Sequence, residues 1–237
     1  MLEVVSAFTK SLRDLTRPEV LWQALWPPLV ALLLWIAVGF AVWNHGVALM
    51  ARIVPQLPWS GWEWVAQWAA VFLLLAAFAS LVYLTSILLV AVFALPRLIN
   101  LVAAHDYPEL GRHGENVFWG SLGNTLGAGA IFVAGCMAIL PLLLIPGALL
   151  VLPVLWGSWL NQRTFRFDAL AEHATRAEMQ RLIAENRHRF YIAGLGTAAA
   201  AHVPLLNLLA PAFAALVFVH LGLRALRRQR NEGGVEL

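Results

Sequence analysis

Val203-Pro204-Leu205-Leu206-Asn207-Leu208-Leu209-Ala210-Pro211 stands in the middle of Phe190–Leu223, thirty-four residues without a formal charge. Arg187 and Arg189 precede this stretch, and Arg224, Arg227, Arg228 and Arg230 follow it. One spanning helix needs about 20 apolar residues, and two need about 40 plus a turn. Thirty-four is too many for one and too few for two. Pro204 and Pro211 each lack an N–H and crowd the turn before them, so no unbroken helix runs through both. The stretch predicts a helical hairpin that dips into a bilayer and returns to the side it left.

The rest of the chain has the same character. Of 237 residues, 61% are hydrophobic and 12% charged, with a mean hydropathy of +0.74. A soluble domain carries about 25% charged residues, so the composition is that of a membrane protein with the lipid bilayer as its main partner. The single cysteine, Cys136, excludes an intramolecular disulfide and any cysteine-based metal cluster. The net charge of +3 does not imply nucleic acid, because the basic residues cluster at the ends of hydrophobic runs, as topology-setting charges do. Charges continue to Glu19 and a long apolar run follows, a pattern unlike a cleavable signal.

Outward from the hairpin, the chain reads as one membrane domain over 1–237. Residues 1–18 predict an amphipathic surface helix, with Val5, Phe8, Leu12 and Leu15 at helical spacing. The uncharged run 20–51 is the first spanning helix, kinked near Pro27 and Pro28. Its Trp22 and Trp43, about 31 Å apart along a helix, suit the two interfaces. The link 52–63, with Pro55, Pro58, Trp59, Gly61 and Trp62, is a loop on the far surface. Residues 64–96 form a second span longer than the bilayer core, which must tilt or project. Asn116–Gln162 holds forty-seven uncharged residues divided by Pro141 and Pro146. Over 117–161 it fits either two complete spans or a second re-entrant hairpin. Residues 163–189 predict a cytoplasmic amphipathic helix, with a capping box at Thr175–Glu178 and an i,i+4 pair Glu185–Arg189. After the hairpin at 190–223, residues 224–237 read as a basic tail. Fifteen of the sixteen Lys and Arg residues fall on one side of this scheme, which predicts cytoplasmic termini.

Chemistry is sparse. No Ser/His/Asp set, nucleotide-binding glycine loop or paired intramembrane carboxylates occur, so no catalytic residue, metal or cofactor is assigned. His105, Glu109 and His113 have helical ligand spacing, but Pro108 and Gly111 break the helix. Gly123 and Gly127, and later Gly194, Gly196 and Ala200, suit close helix packing within or between protomers. Of the ionisable groups, His202 and His220 alone lie firmly inside an apolar run. The candidate transport path therefore rests on polar and helix-breaking positions: Asn207 with Pro204 and Pro211 at the hairpin tip, Asn124 and Thr125, and Arg17. A half-buried helix N-terminus after such a tip can hold an anion. Tyr83, Thr85 and Ser86 suit interhelical hydrogen bonds.

A surface helix, two long spans and two proline-tipped hairpins around a polar helix resemble the CysZ sulfate permeases and the related etoposide-induced protein family. The specific match is Val203–Pro211, similar to the family's Ile-Pro-Leu-Leu-Asn-Leu…Pro run. Weaker ones are Trp159 through Phe167-Asp168, Glu178-Met179, and Pro96 with Asn100. The resemblance implies an inner-membrane protein with half-penetrating hairpins, a homo-oligomer, and uptake of a small anion such as sulfate. The permeases carry Pro-Gly-(Leu/Ile)-Arg-Arg where their first span begins, and this chain has Pro18-Glu19-Val20-Leu21-Trp22. Apolar residues replace both arginines, an acid that repels sulfate replaces the glycine, and Arg17 is a displaced substitute. The expectation is an all-α polytopic membrane protein of permease-like, non-enzymatic function. The alternative is a non-transporting membrane organiser working through its basic tail.

Overall fold

The computed structural model describes residues 1–53, 63–114, 117–139, 141–142, 145, 147–203, 207 and 209–233. Pro204, most of the hairpin tip and the link at 54–62 lie outside them. The described elements are helical without a strand, the architecture of an all-α polytopic membrane protein. Helices satisfy their own backbone hydrogen bonds, which a bilayer interior demands. Four segments are long and apolar enough to cross a membrane: Pro18–Leu49, Gln67–Asp106, Trp119–Ile139 and Ala210–Gly233. The helices are α1 (Leu2–Leu15), α2 (Pro18–Ile53), α3 (Glu63–Leu89), α4 (Leu95–Asp106), α5 (Val117–Ile139), α6 (Ala148–Ala171), α7 (Arg176–Glu185), α8 (Arg187–Ala200) and α9 (Ala210–Gly233). The chain forms two compact units, Leu25–Phe93 and Met1–Ala24 with Ala94–Leu237.

The unit Leu25–Phe93 is an antiparallel pair made by α2 and α3. Trp35 stands edge-on to Phe78 with ring centroids 6.0 Å apart. Its indole N–H donates to the Thr85 hydroxyl at 2.9 Å, the interhelical bond expected of that polar group. Gly39 and Gly46 let Phe78 and Leu74 approach the α2 backbone. After α3 the chain runs through a π-helical turn, Val90–Ala94, into α4. Pro96 cannot donate to the carbonyl of Val92 and its ring crowds that oxygen. Widening the turn just before Pro96 relieves the clash without breaking the helix.

The other unit is built around α9. Every residue from Ala212 to Leu223 is buried, although α9 is the least hydropathic of the four candidate spans after its arginines are included. Phe218 stacks between Phe165 and Phe190, with centroids 6.2 Å from each. Phe8 of α1 meets Phe213 edge-on at 5.6 Å. The buried face of α1 is Val4, Ala7, Ser11 and Asp14, whereas Val5 and Leu12 are exposed. Of the expected stripe, Phe8 and Leu15 do pack inward, whereas Val5 and Leu12 face out, because burying Asp14 against α9 fixes the helix's rotation. Left-handed Gly147 (φ 85°) starts α6, which continues as one helix through residues 163–171.

The polar segment 163–189 is consequently three pieces rather than one helix. Thr175 and Glu178 form the capping box at the start of α7. Glu185 pairs with Arg181 at 3.0 Å, not with Arg189. The helix ends at Glu185 and α8 begins at Arg187, which turns Arg189 toward Glu3 of α1 at 2.6 Å. The basic residues after Leu223 are likewise no free tail. They are the last turns of α9, and their guanidinium groups reach other elements.

Two glycine sets behave oppositely. A β-carbon on Gly194 would stand 2.6 Å from the Ser158 carbonyl oxygen, so α6 and α8 touch backbone to backbone there. One on Gly123 or Gly127 would meet nothing within 4 Å, so these two do not serve packing inside the chain. Replacing Gly194 by Val is expected to destabilise the protein by about 1–3 kcal/mol through overpacking. Gly123→Ala should be neutral or stabilising, since Gly costs about 1 kcal/mol against Ala in a helix. Thermal unfolding in detergent micelles measures both; equal midpoints for the two variants would refute the assignment.

Candidate functional site

Polar chemistry collects at two places in the α9-centred unit. The first surrounds His220, a lone imidazole on the most buried helix. Asp14, in the last turn of α1, brings its Oδ2 to 2.6 Å from His220 Nε2. On the opposite ring nitrogen, Nδ1 lies 3.3 Å from the Tyr107 hydroxyl oxygen and 3.7 Å from Asp106 Oδ2 at the end of α4. The side chains of His220 and Asp14 are 1% and 3% exposed, so each needs the other. Arg17 adds a guanidinium 3.3 Å from Asp14 Oδ1, and His105 bonds Asp106 Oδ1 at 2.9 Å. Burial pushes the Tyr107 hydroxyl up to about 12, so it stays protonated and can donate to the His220 carbonyl at 3.3 Å.

Two carboxylates and an imidazole are also a metal-ligand set, and one ligand atom from each lies within 4.8 Å of the others. The geometry fits a hydrogen-bonded clamp better. Nε2 faces Asp14 Oδ2 at hydrogen-bond distance, while Nδ1 faces the Tyr107 hydroxyl at 3.3 Å with Asp106 Oδ2 behind it at 3.7 Å, so the ring nitrogens already have protein partners. Arg17 on Asp14 and the Lys10 ammonium 5.9 Å from the Tyr107 ring supply positive charge already. One turn further along α9, the same logic repeats with arginines. Arg224 donates to Ser6 at 3.2 Å, Arg227 to Glu109 at 3.0 Å and Arg228 to Glu3 at 2.9 Å. Arg230, 2% exposed, reaches Glu178 at 2.9 Å and the His173 carbonyl at 2.8 Å. Burial works to raise the Glu178 carboxyl, but Arg230 and the Thr175 backbone hold it below its ordinary value.

The second place is a cavity of about 1230 Å³ among α5, α6 and α7. Asn124 lines it and donates to the Arg163 carbonyl at 3.2 Å. Arg163 lies 5.5 Å over the Trp159 ring, and its Nε is buried with no partner among the described residues. Among the described residues, no Asp or Glu lines the cavity. Asp168 lies beside it on α6 but is turned to the Ser121 hydroxyl of α5. Burial pushes its carboxyl up to about 6 against that hydrogen bond.

The positions singled out from sequence are not gathered into one site. Arg17 lines a small cavity of about 260 Å³ with Glu19 and His105, a mixed-charge place. Asn124 belongs to the large cavity, while its neighbour Thr125 is exposed. Asn207 is exposed, its amide bonded to the Val203 carbonyl at 2.8 Å, and Pro211 lies in the first turn of α9. His105, Glu109 and His113 go to different partners: Asp106, Arg227 and Arg230. The Asp14–His220 pair was missed. Its signal was Asp14 recurring at helical spacing with Val4, Ala7 and Ser11, opposite an imidazole in an uncharged run.

Removing one member of a buried pair leaves the other charge unmatched, at a cost of about 3–5 kcal/mol. Asp14→Ala should lower stability by that order in detergent unfolding, and a midpoint equal to the parent's would refute the clamp. Asp168 predicts a pH effect. Its folded value of about 6 lies above the ordinary 3.8, so the folded chain holds the extra proton between them. Its effect on stability is most favourable below the ordinary value and declines as pH rises through about 6. Asp168→Asn should flatten the melting profile across that window.

No curated protein matches the chain. A family match covers residues 7–211, from the middle of α1 to the start of α9 and therefore both proline-marked regions. The chain belongs to the family described as Sulfate transporter CysZ/Etoposide-induced protein 2.4.

Proposed function

We propose that this chain is a permease-like protein of the inner membrane that moves a small solute, an oxyanion by class. The family match across 7–211 carries this reading, because it spans nearly every membrane element at once. Helix lengths support a discontinuous path. α8 has 14 residues, about 21 Å, against a hydrocarbon core of about 30 Å. In α6 the apolar part from Ala148 to Asn161 is similarly short before Arg163. Both are re-entrant elements in this reading, with Asn207 and Pro211 where the outgoing α9 begins. The distribution of Lys and Arg favours cytoplasmic termini. Exposed apolar residues along α5, with open Gly123 and Gly127 between them, suit contact with lipid or a second protomer.

Sulfate itself is not carried over. Arg17, the displaced substitute for the missing arginines, is already paired with Asp14, and Glu19 shares its cavity. The organiser reading loses its main support for a similar reason. The arginines of the supposed tail are bonded to Ser6, Glu109, Glu3 and Glu178.

Uptake by proteoliposomes across a panel of oxyanions tests the proposal. Flux above that of empty vesicles is expected for at least one anion. Asn207→Leu should lower it about tenfold, the worth of one hydrogen bond to a charged group. Flux equal to empty vesicles across the whole panel would sink the reading.

A further inference from the structure

The cavity among α5, α6 and α7 is large, open and one-sided in charge. Its about 1230 Å³ exceed the ~300–1,000 Å³ usual for small-molecule pockets, far more than a bare oxyanion fills. Arg163 and Arg176 both line it. Among the described residues neither forms an ion pair, although most other arginines of this unit do. Arg163 also keeps a buried, unpartnered Nε–H. His113 lines the same space, with its Nδ1 3.2 Å from the Arg230 guanidinium. An arginine can only donate, so Nδ1 is the acceptor there and the imidazole proton sits on Nε2 as a further donor. Among the described residues, Asp168, Glu172 and Glu178 are committed elsewhere, to Ser121, Arg112 and Arg230. Among the described residues, no acid in the lining offsets these two guanidinium groups and the N–H donor, a deficit that suits an anion.

The apolar half of the wall and the cavity's level in the bilayer identify the kind of anion. Trp119 and Phe167 are part of the lining. The apolar window of α5 begins at Trp119, and Asn124 lies five residues on, about 7.5 Å deeper along the helix. A tryptophan at the start of a span marks the headgroup level, so the cavity opens where phospholipid phosphates lie. From its rim Trp119, Leu122 and Leu126 continue along α5 as exposed apolar surface, 71%, 38% and 65% exposed. That track suits an acyl chain. Basic pockets between membrane helices are general binding places for anionic lipid headgroups.

The geometry points to a binding site for an anionic phospholipid, whose phosphate is held between Arg163 and Arg176 while an acyl chain follows α5. The site is independent of whether the chain transports anything. It gives the polar α6–α7 segment a ligand that is always present in the membrane.

The test counts lipid retained by the purified full-length chain in a neutral maltoside detergent. Native mass spectrometry is run after titration with phosphatidylglycerol or phosphatidylcholine of identical acyl chains. Phosphatidylglycerol should bind and phosphatidylcholine should not. Arg176→Gln, at an exposed position, should weaken binding about fivefold, and the double variant with Arg163→Gln about twenty-five-fold, at the usual worth of one basic residue against an anionic surface. Should the double variant fail to fold, Ala177→Trp fills the cavity from an exposed position and is expected to abolish retention. Equal retention of the two lipids, or parent-like binding by Arg176→Gln, would overturn the site. A parallel arm titrates inorganic phosphate. Displacement of phosphatidylglycerol by phosphate, with the same dependence on Arg176, would overturn the lipid in favour of a free-phosphate site.

Discussion

Everything in the α9-centred unit answers to one problem: α9 carries an imidazole and four guanidinium groups, and it is the helix the others bury. A polar or charged group removed from water without a partner costs several kcal/mol, so the buried His220 and Arg230 must each meet a fixed counter-group, while the more exposed Arg227 and Arg228 add ion pairs at the rim. Asp14 positions α1, Asp106 and Tyr107 position the end of α4, Glu109 the turn after it, and Glu178 the start of α7. These contacts set rotation as well as proximity. They explain why α1 presents Ser11 and Asp14 inward and leaves Val5 and Leu12 outside.

The architecture was legible in the sequence because lipid imposes a coarse rule, long runs without charge, and four such runs stand out. Partners were harder to see. Glu185 had Arg181 and Arg189 at equal helical spacing, and the helix end between Glu185 and Arg187 decided between them. Arg224–Arg230 looked like a solvated tail because a cluster of like charges usually is one. Their acids come from α1, α7 and the turn after α4, scattered over the chain. The boundaries of the two units, at Ala24 and Phe93, fall inside apolar runs, where hydropathy carries no mark.

Candidate site residues were less legible than the fold. Polar residues in apolar runs were sought, and Asn124 and Thr85 were found to bond neighbouring helices. The two arginines that line the large cavity lie outside those runs. Nothing in one dimension distinguishes Arg163 or Arg176 from arginines that are paired. What separates them is that, among the described residues, no acid lines the space between the three helices, which only the fold defines.

One consequence concerns the order in which the chain is made. α9 follows every helix that packs on it, so the unit has no centre until α9 has been made. Until then Asp14 and Asp106 have been in the membrane interface without His220, and Glu3, Glu109 and Glu178 without their arginines. The arrival of α9 then closes the unit in one step, drawing elements more than two hundred residues apart, Asp14 and His220, into a single contact. Without α9 these helices have no common partner on which to pack.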